Sequence, residues 1–191
     1  MKKRWLTLWM AGWIFVSIGT GSALAHVTPV VKLSSTRDTI ARLLPQGKLS
    51  LKDVRLTPDQ MQKLKSQGNW ESHENHYKFF VSRAPDNQLQ RAAVFITEYS
   101  RHGPVVVAVS LDPSGKVVDA ILTDIQVEPL AWVEPLLQEN YMREFRGKGG
   151  NMALALDTKW KTRTSGMTQS YALIIANAVK RAAQLFDVVF K

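Results

Sequence analysis

Residues 104–125 read PVVVAVSLDPSGKVVDAILTDI, and this stretch decides the fold of the chain. Two apolar runs, 104–111 and 117–125, are rich in β-branched side chains, which favour strands. The segment Asp112–Gly115 (DPSG) between them has the residues of a tight turn. Proline presets the dihedral angle at its position, and glycine accepts a positive dihedral angle. The stretch therefore predicts a β-hairpin.

Further strands are predicted on both sides of this hairpin. Residues 76–82 and 92–99 are rich in β-branched and aromatic side chains, and residues 49–56 alternate apolar and polar side chains. A short strand is also expected at 152–156. Strands in a run with helices before and after them are typical of an α+β fold, here an antiparallel sheet packed by helices.

Helices are predicted from capping residues and from apolar side chains at helical spacing. They are expected at 35–44, from Thr57 to Gly68, at 132–145 and, as the longest, at 167–186. In this C-terminal helix the polar side chains lie off an apolar stripe. The stripe consists of Tyr171, Ile174, Ile175, Ala178, Ala182 and Leu185, and the polar residues beside it include Arg181 and Gln184.

The first 25 residues have the pattern of a secretory signal peptide. A basic start at Lys2–Arg4 precedes an apolar run at 5–18, and Ala23–Ala25 (ALA) is a small-residue cleavage site. The pattern predicts cleavage after Ala25 and a mature protein in a bacterial periplasm. An uncleaved membrane anchor is the alternative.

Composition excludes several kinds of chemistry. The 191-residue chain has no cysteine, which excludes disulfides, thiol catalysis and cysteine-held metal clusters. Its net charge is +9, and loss of residues 1–25, with three basic residues and no acid, leaves +6. This excess favours an anionic cofactor, an acidic partner or an anionic membrane surface. The basic residues are scattered through an exported chain, so nucleic acid is not an expected partner.

The segment Thr164–Ser170 (TSGMTQS) carries the chemistry. It is expected to join a strand to the C-terminal helix, whose first N–H groups lack partners and whose dipole is positive there. Such an end binds phosphate well, and Gly166 permits a close approach to the main chain. Ser165 and Thr168, three residues apart, can face one point. A well-capped helix without a ligand is the alternative. Positive charge is added by Lys159, Lys161 and Arg163.

Ser165–Ser170 (SGMTQS) resembles the S-G-A-T-x-S signature of the FMN-binding domain family, which includes flavin-carrying subunits of Rnf- and Nqr-type electron-transport complexes. Four upstream segments are similar to that family's motifs in the same order. They are Gly103–Val107, Asp112–Lys116, Val127–Leu130 and Phe145–Lys148. The resemblance covers roughly residues 100–187.

The resemblance implies the family's fold and a set of cofactor-binding residues. In the family, a flavin transferase joins FMN through its phosphate to the signature threonine, here Thr168. The remaining residues implied for FMN are Ser165, Gly166, Met167, Gln169, Ser170, Glu128 in a loop at 127–130, and Lys148 at the phosphate. Thr162 stands where the family has Asp, Met167 where it has Ala, and the 127–130 segment lacks the family's Thr and Gly.

We therefore expect a periplasmic electron-transfer flavoprotein rather than a stand-alone enzyme. Residues 1–25 would be the signal peptide, 26–99 an N-terminal extension or extra layer, and 100–191 the FMN-binding domain. Its partners would be a flavin transferase and a redox partner, either a membrane electron-transport complex or a cytochrome. A non-redox binding or assembly subunit with the same fold is the alternative.

Two weaker sites involve histidine. His73 and His76, with Glu71 and Glu74, have the composition of a metal cluster, although surface polar residues are the simpler interpretation. A mature N-terminal His26 would allow copper chelation through its amine and its ring. The sequence has neither a nicotinamide-binding fingerprint nor a G-x-S-x-G hydrolase motif.

Overall fold

Six antiparallel strands form one sheet in the computed structural model, which describes residues 29–70 and 74–191. The strand order is β1-β6-β5-β4-β3-β2, so each strand from β2 to β6 lies beside its neighbour in sequence. The strands are β1 (Val30–Lys32), β2 (Lys48–Arg55), β3 (His76–Arg83), β4 (Leu89–Ser100), β5 (Gly103–Leu111) and β6 (Val117–Gln126).

Five α-helices and one 3-10 helix occupy the described part of the chain. They are α1 (Thr36–Leu43), α2 (Pro58–Lys65), α3 (Val127–Gln138), the 3-10 helix (Tyr141–Phe145), α4 (Thr158–Arg163) and α5 (Gly166–Phe190). The expected α+β class, with an antiparallel sheet packed by helices and a long C-terminal helix, is therefore confirmed. No helix within these described ranges is long and apolar enough to span a membrane.

The β5–β6 hairpin forms as predicted. One carboxylate oxygen of Asp112 accepts hydrogen bonds from the backbone N–H groups of Ser114 (2.8 Å) and Lys116 (3.0 Å). Gly115 has φ +77°, a conformation that favours glycine, and an added Cβ would lie 2.4 Å from Asp187. The turn therefore needs glycine both for its backbone angle and for the helix packed against it.

Helix α5 covers one face of the sheet, and helix α1 covers part of the other. The apolar stripe of α5 packs on β4 and β5, and Tyr171, Ile175 and Leu185 are fully buried there. On the opposite face, Ile40 and Leu43 of α1 pack with a second, smaller apolar cluster. That cluster includes Ala93 of β4, Ala108 of β5 and Ile121 of β6.

Two polar residues of α5 lie off the apolar stripe, as predicted, but are buried. Arg181 forms an ion pair with Glu98 of β4 (2.6 Å) and lies over the ring of Trp70. Gln184 accepts a hydrogen bond from the Trp70 indole N–H (2.8 Å). The segment before β3 therefore covers the polar side of this helix, and Trp70 and Asn69 form hydrogen bonds with Gln184.

The prediction of one helix at 132–145 was wrong. Helix α3 begins at Val127, so the segment 127–130 is a helical turn and not a loop. Pro129 fits there because the first helical residues need no N–H donor. The helix stops at Gln138, and Asn140 takes a left-handed conformation (φ 55°) before the 3-10 helix.

The predicted strand at 152–156 does not form. Met152 and Leu156 are buried in the main core, but the segment between them has no regular structure and pairs with no strand. Apolar residues alone do not make a strand, because the backbone must also find a sheet edge to bond.

Strands from both sides of residue 100 share the sheet. The predicted division between 26–99 and 100–191 falls at the turn between β4 and β5, whose register runs from Ala92↔Leu111 to Ser100↔Gly103. Strands β1 to β4 precede this turn, and β5 and β6 follow it. The predicted signal peptide and His26 lie outside the described residues.

Candidate functional site

A short helix, and not the predicted strand, leads into helix α5. Asp157 caps α4 by accepting a hydrogen bond from the Trp160 N–H (3.0 Å), and the helix ends at Arg163. The indole ring of Trp160 is buried against Tyr141, at 4.8 Å between centroids. Aromatic packing of α4 on the core therefore fixes the position from which α5 starts.

Ser165 is the N-cap of α5. Its hydroxyl oxygen accepts a hydrogen bond from the Thr168 N–H (3.3 Å) and lies 3.0 Å from the Thr168 hydroxyl. The first intrahelical bond runs from the Gln169 N–H to the Ser165 carbonyl (2.9 Å). The N–H groups of Gly166 and Met167 come before that bond, so the helix leaves them for solvent or a ligand.

Most of this helix entrance lies at the protein surface. Ser165, Gly166 and Ser170 are exposed, and Met167 is 39% exposed. A Cβ added at Gly166 would meet no atom within 4 Å. Thr168 is the exception, because only 3% of its surface is accessible. The entrance is therefore open above Gly166, while the hydroxyl of the predicted attachment residue faces Ser165.

Gln169, on α5, has two hydrogen-bond partners at the end of α4. Its side-chain amide donates hydrogen bonds to the carbonyls of Lys161 (2.9 Å) and Thr164 (3.0 Å). The Ser170 hydroxyl donates to the Gly166 carbonyl (3.0 Å) and remains exposed. Of these two predicted site residues, Ser170 therefore faces solvent at the entrance, and Gln169 ties the two helices together.

A cavity of 310 Å³ adjoins the entrance of α5. We call it the entrance groove. The turn between β4 and β5 forms one side, and the first turns of α5 form the other. Its lining residues are Ser100, Arg101, His102, Met167, Ser170, Tyr171 and Ile174. The groove thus places an apolar surface directly beside the hydroxyl-bearing residues of the entrance.

Trp132 connects two rings of the groove lining, Tyr171 and His102. The ring centroids of Tyr171 and Trp132 are 5.9 Å apart, and those of Trp132 and His102 are 5.0 Å apart. Glu128 lies beside His102, with a carboxylate oxygen 3.2 Å from Nδ1 of His102. Glu128 stands on helix α3 and not in the loop expected at 127–130.

Burial raises the pKa of the Tyr171 hydroxyl above its ordinary value. The nearby Glu128 carboxylate acts in the same direction, and the hydrogen bond with Ser100 (3.1 Å) opposes it. The phenol is therefore neutral at physiological pH and serves as a hydrogen-bonding group at the side of the groove.

Sequence reasoning did not identify His102 and Arg101 as site residues. His102 and Arg101 lie in the two-residue turn of the β4–β5 hairpin, far along the chain from Tyr171. Nothing local marks them, because only the packing of α5 across the sheet brings that turn to the helix entrance.

Lys148 does not lie at the entrance. Its carbonyl accepts a hydrogen bond from the Val117 N–H (2.8 Å), and the nearby Gly150 packs on Gln184. Gln184 lies sixteen residues beyond Thr168, about 24 Å along the axis of α5. The predicted contact of Lys148 with the phosphate therefore does not fit the structure, because its loop packs near the far end of the helix.

Four cations lie on α4 and on the turn beside the groove, and two of them have acidic partners. Glu139 is 3.4 Å from Arg163 and 3.9 Å from Lys159. Lys161 and Arg101 have no carboxylate within 4 Å in the described part of the chain. The surroundings of the entrance therefore keep positive charge that an anion can use.

The proposed histidine metal cluster lies partly outside the described residues, which omit Glu71 and His73. His76 is on β3 and forms an ion-pair contact with Asp53 of β2. Across residues 29–70 and 74–191, no group of three or more candidate ligands could hold a metal ion.

Comparisons of the chain with protein-family models, with curated proteins and with solved structures found no match.

Proposed function

We propose that this protein is a periplasmic flavoprotein that binds FMN at the entrance of α5 and transfers electrons between redox partners. One observation carries the proposal: the open, hydroxyl-bearing start of the longest helix adjoins a groove with apolar and aromatic walls. A phosphate and a planar ring, linked by a short polar chain, match these two adjacent surfaces. The resemblance of Ser165–Ser170 to the flavin-domain signature supports the same ligand.

The phosphate would be held by groups that the helix entrance offers. The N–H groups of Gly166 and Met167 are not used within the helix, and the hydroxyls of Ser165 and Ser170 are near them. The positive end of the helix dipole favours a dianion there. Lys161 adds charge without an acidic partner among the described residues. The open space above Gly166 admits the phosphate to the main chain.

The isoalloxazine ring would occupy the entrance groove. Met167 and Ile174 offer apolar contacts, and Tyr171 offers an aromatic edge with a neutral hydroxyl. The Trp132 ring packs against Tyr171, and the His102 ring packs against Trp132. Arg101 and the Glu128–His102 pair would serve as partners for polar atoms of the ring. These residues bind and orient the ring and exclude water from one of its sides.

Thr168 is the proposed attachment residue for FMN. Attachment through a phosphoester requires its hydroxyl to turn away from Ser165 and reach solvent, because only 3% of the residue is exposed. Noncovalent binding at the entrance requires no such movement. We therefore propose that FMN binds at the entrance of α5. The mass of the intact protein distinguishes covalent attachment from noncovalent binding.

FMN when bound would supply transfer of one or two electrons. The groove opens at the protein surface, so a partner can approach the ring closely. The proposed partners are a membrane electron-transport complex or a cytochrome, together with a flavin transferase that loads the cofactor.

Titration of the purified protein with FMN and with riboflavin, followed by flavin fluorescence, tests the proposal. FMN should bind at least tenfold more tightly than riboflavin, because charge-assisted bonds to phosphate are worth about 1.5–3 kcal/mol. Ser170→Asp should weaken FMN binding by placing a negative charge at the entrance. Ser50→Asp adds the same charge on exposed β2 and is the matched control.

Three results would contradict the proposal. They are equal binding of FMN and riboflavin, equal effects of the two Asp variants, and a colourless protein after expression with a flavin transferase and added FMN. The last result would favour the non-redox binding or assembly role.

A further inference from the structure

A second cleft, with a volume of 430 Å³, lies at the edge of the sheet beyond the end of β1. Strand β1 pairs only with residues 124–126 of β6, so residues 119–122 have no strand on that side and line the cleft. The 3-10 helix and the end of α3 form the opposite wall. This cleft shares no lining residue with the entrance groove, so the inference drawn from it goes beyond the proposed function.

Three arginines surround this cleft, which we call the arginine cleft. Arg42 comes from α1, Arg143 comes from the 3-10 helix, and Arg146 follows the last residue of that helix. The Arg146 N–H donates a hydrogen bond to the Arg143 carbonyl (3.2 Å), so the two residues are neighbours at the end of this helix. Two segments distant in sequence thus bring three guanidinium groups to one place.

One carboxylate offsets this charge in part. A carboxylate oxygen of Asp119 lies 3.1 Å from Arg146, and the other lies 3.8 Å from Arg42. Arg143 has no carboxylate within 4 Å anywhere in the described ranges. Asp119 is the only acidic residue in the lining, so the arginine cleft carries a net charge of +2.

The floor of the arginine cleft is apolar. Leu122 and Leu136 are buried beneath it, and Leu137 and Met142 are half-buried at its side. The guanidinium groups are at the rim, where the side chains of Arg42 and Arg146 are 66% and 52% exposed. The cleft therefore combines an apolar surface with an exposed cationic edge.

We infer that the arginine cleft binds a small organic anion with an apolar body. A carboxylate or phosphate head group would pair with Arg143 and Arg146, because guanidinium groups present planar donors that match such oxygens. The apolar body would lie on Leu137 and Met142. The volume is within the range of small-molecule sites, and the charge of +2 selects against neutral and cationic compounds.

Nuclear magnetic resonance titration of the ¹⁵N-labelled full chain tests this inference with hexanoate as the probe. Hexanoate should shift the amide signals of residues 119–122 and 140–146 in a saturable way at millimolar concentration. Hexanol, which lacks the charge, and acetate, which lacks the apolar body, should bind at least tenfold more weakly. Hexyl phosphate and inorganic phosphate extend the same comparison to the other head group.

Arg143→Gln should weaken hexanoate binding about tenfold, because it removes a charge-assisted hydrogen bond. Arg37→Gln removes one charge from an exposed site on α1 outside the cleft, and it should leave binding unchanged. The Ser170→Asp variant should also bind hexanoate normally, which separates this site from the entrance groove. Failure of hexanoate to saturate, equal binding of hexanol or acetate, or equal effects of the two arginine variants would overturn the inference.

Discussion

Thr168 is the residue on which the proposed covalent attachment of FMN depends. Its hydroxyl is buried beside Ser165, and valine would keep its shape while removing the oxygen. Thr168→Val should therefore fold normally and carry no FMN adduct after expression with a flavin transferase, as read by intact-protein mass. Thr162→Val, at an exposed position of α4, should keep the adduct. An adduct that survives in Thr168→Val would show that another residue is the attachment site.

Gly166 offers a second test at the scale of a single residue. A side chain there meets no protein atom within 4 Å, so Gly166→Val should leave the thermal unfolding midpoint nearly unchanged. The same side chain should block FMN binding, because it fills the space through which the phosphate would reach the main chain. Gly166→Ala should weaken binding less than valine does. Normal FMN affinity of the valine variant would contradict the close approach at this glycine.

At the scale of elements, the Arg181–Glu98 pair joins α5 to β4. Its side chains are only 7% and 15% exposed, and removal of one partner leaves a buried charge. Arg181→Met should lower the free energy of unfolding by about 3 kcal/mol, as measured in urea. Lys191→Met breaks an exposed ion pair with Asp187 on the same helix and should cost no more than about 1 kcal/mol. Equal losses of unfolding free energy in the two variants would show that the buried ion pair contributes no more to stability than the exposed one.

Helix α3 shows what local patterns miss at this scale. Apolar residues at helical spacing indicated a helix from Trp132, yet the helix starts at Val127 and carries Glu128 in its first turn. The family resemblance implied a loop at 127–130, but Pro129 is tolerated there because it lies within the first helical residues. Strand β6 ends at Gln126, and α3 follows it directly. The segment 127–130 is compatible with a loop or a helix from its sequence, and in the folded protein it forms the first turn of α3.

At the scale of the whole molecule, buried tyrosines make stability depend on alkaline pH. Burial raises the pKa of the Tyr141 hydroxyl, which donates a hydrogen bond to the Ala172 carbonyl (3.1 Å). Asp157 and Glu144 act in the same direction. The folded state therefore favours the neutral phenol. The resulting stability is complete below the unfolded pKa of about 10 and is lost as pH rises from there toward the folded pKa.

Unfolding in urea at a series of pH values tests this linkage. The free energy of unfolding of the wild-type protein should fall as pH rises above about 10. The free energy of unfolding of the Tyr141→Phe variant should fall less steeply over the same pH range. The variant should also lose about 1 kcal/mol at neutral pH with its hydrogen bond. Tyr99→Phe, at a residue that is 78% exposed, is the matched control and should keep the wild-type slope. A Tyr141→Phe slope equal to that of the control would refute the assignment.

The sequence by itself determined the features that rest on neighbouring residues. The hairpin at 104–125, the capping box of Thr57 and Gln60, and the cap of α5 at Ser165 each depend on side chains within a few positions of the backbone they bond. Turn and cap chemistry is local, so composition and spacing are enough to predict it.

Only the tertiary structure decided which distant residues meet. Arg101 and His102 lie at the entrance of α5, and Lys148 lies in a loop near the far end of that helix. Three arginines lie together at the edge of β6. The order of strands and the course of α5 across them set these distances. That arrangement depends on burying apolar surface over the whole sheet, a sum over many weak contacts that no short segment contains.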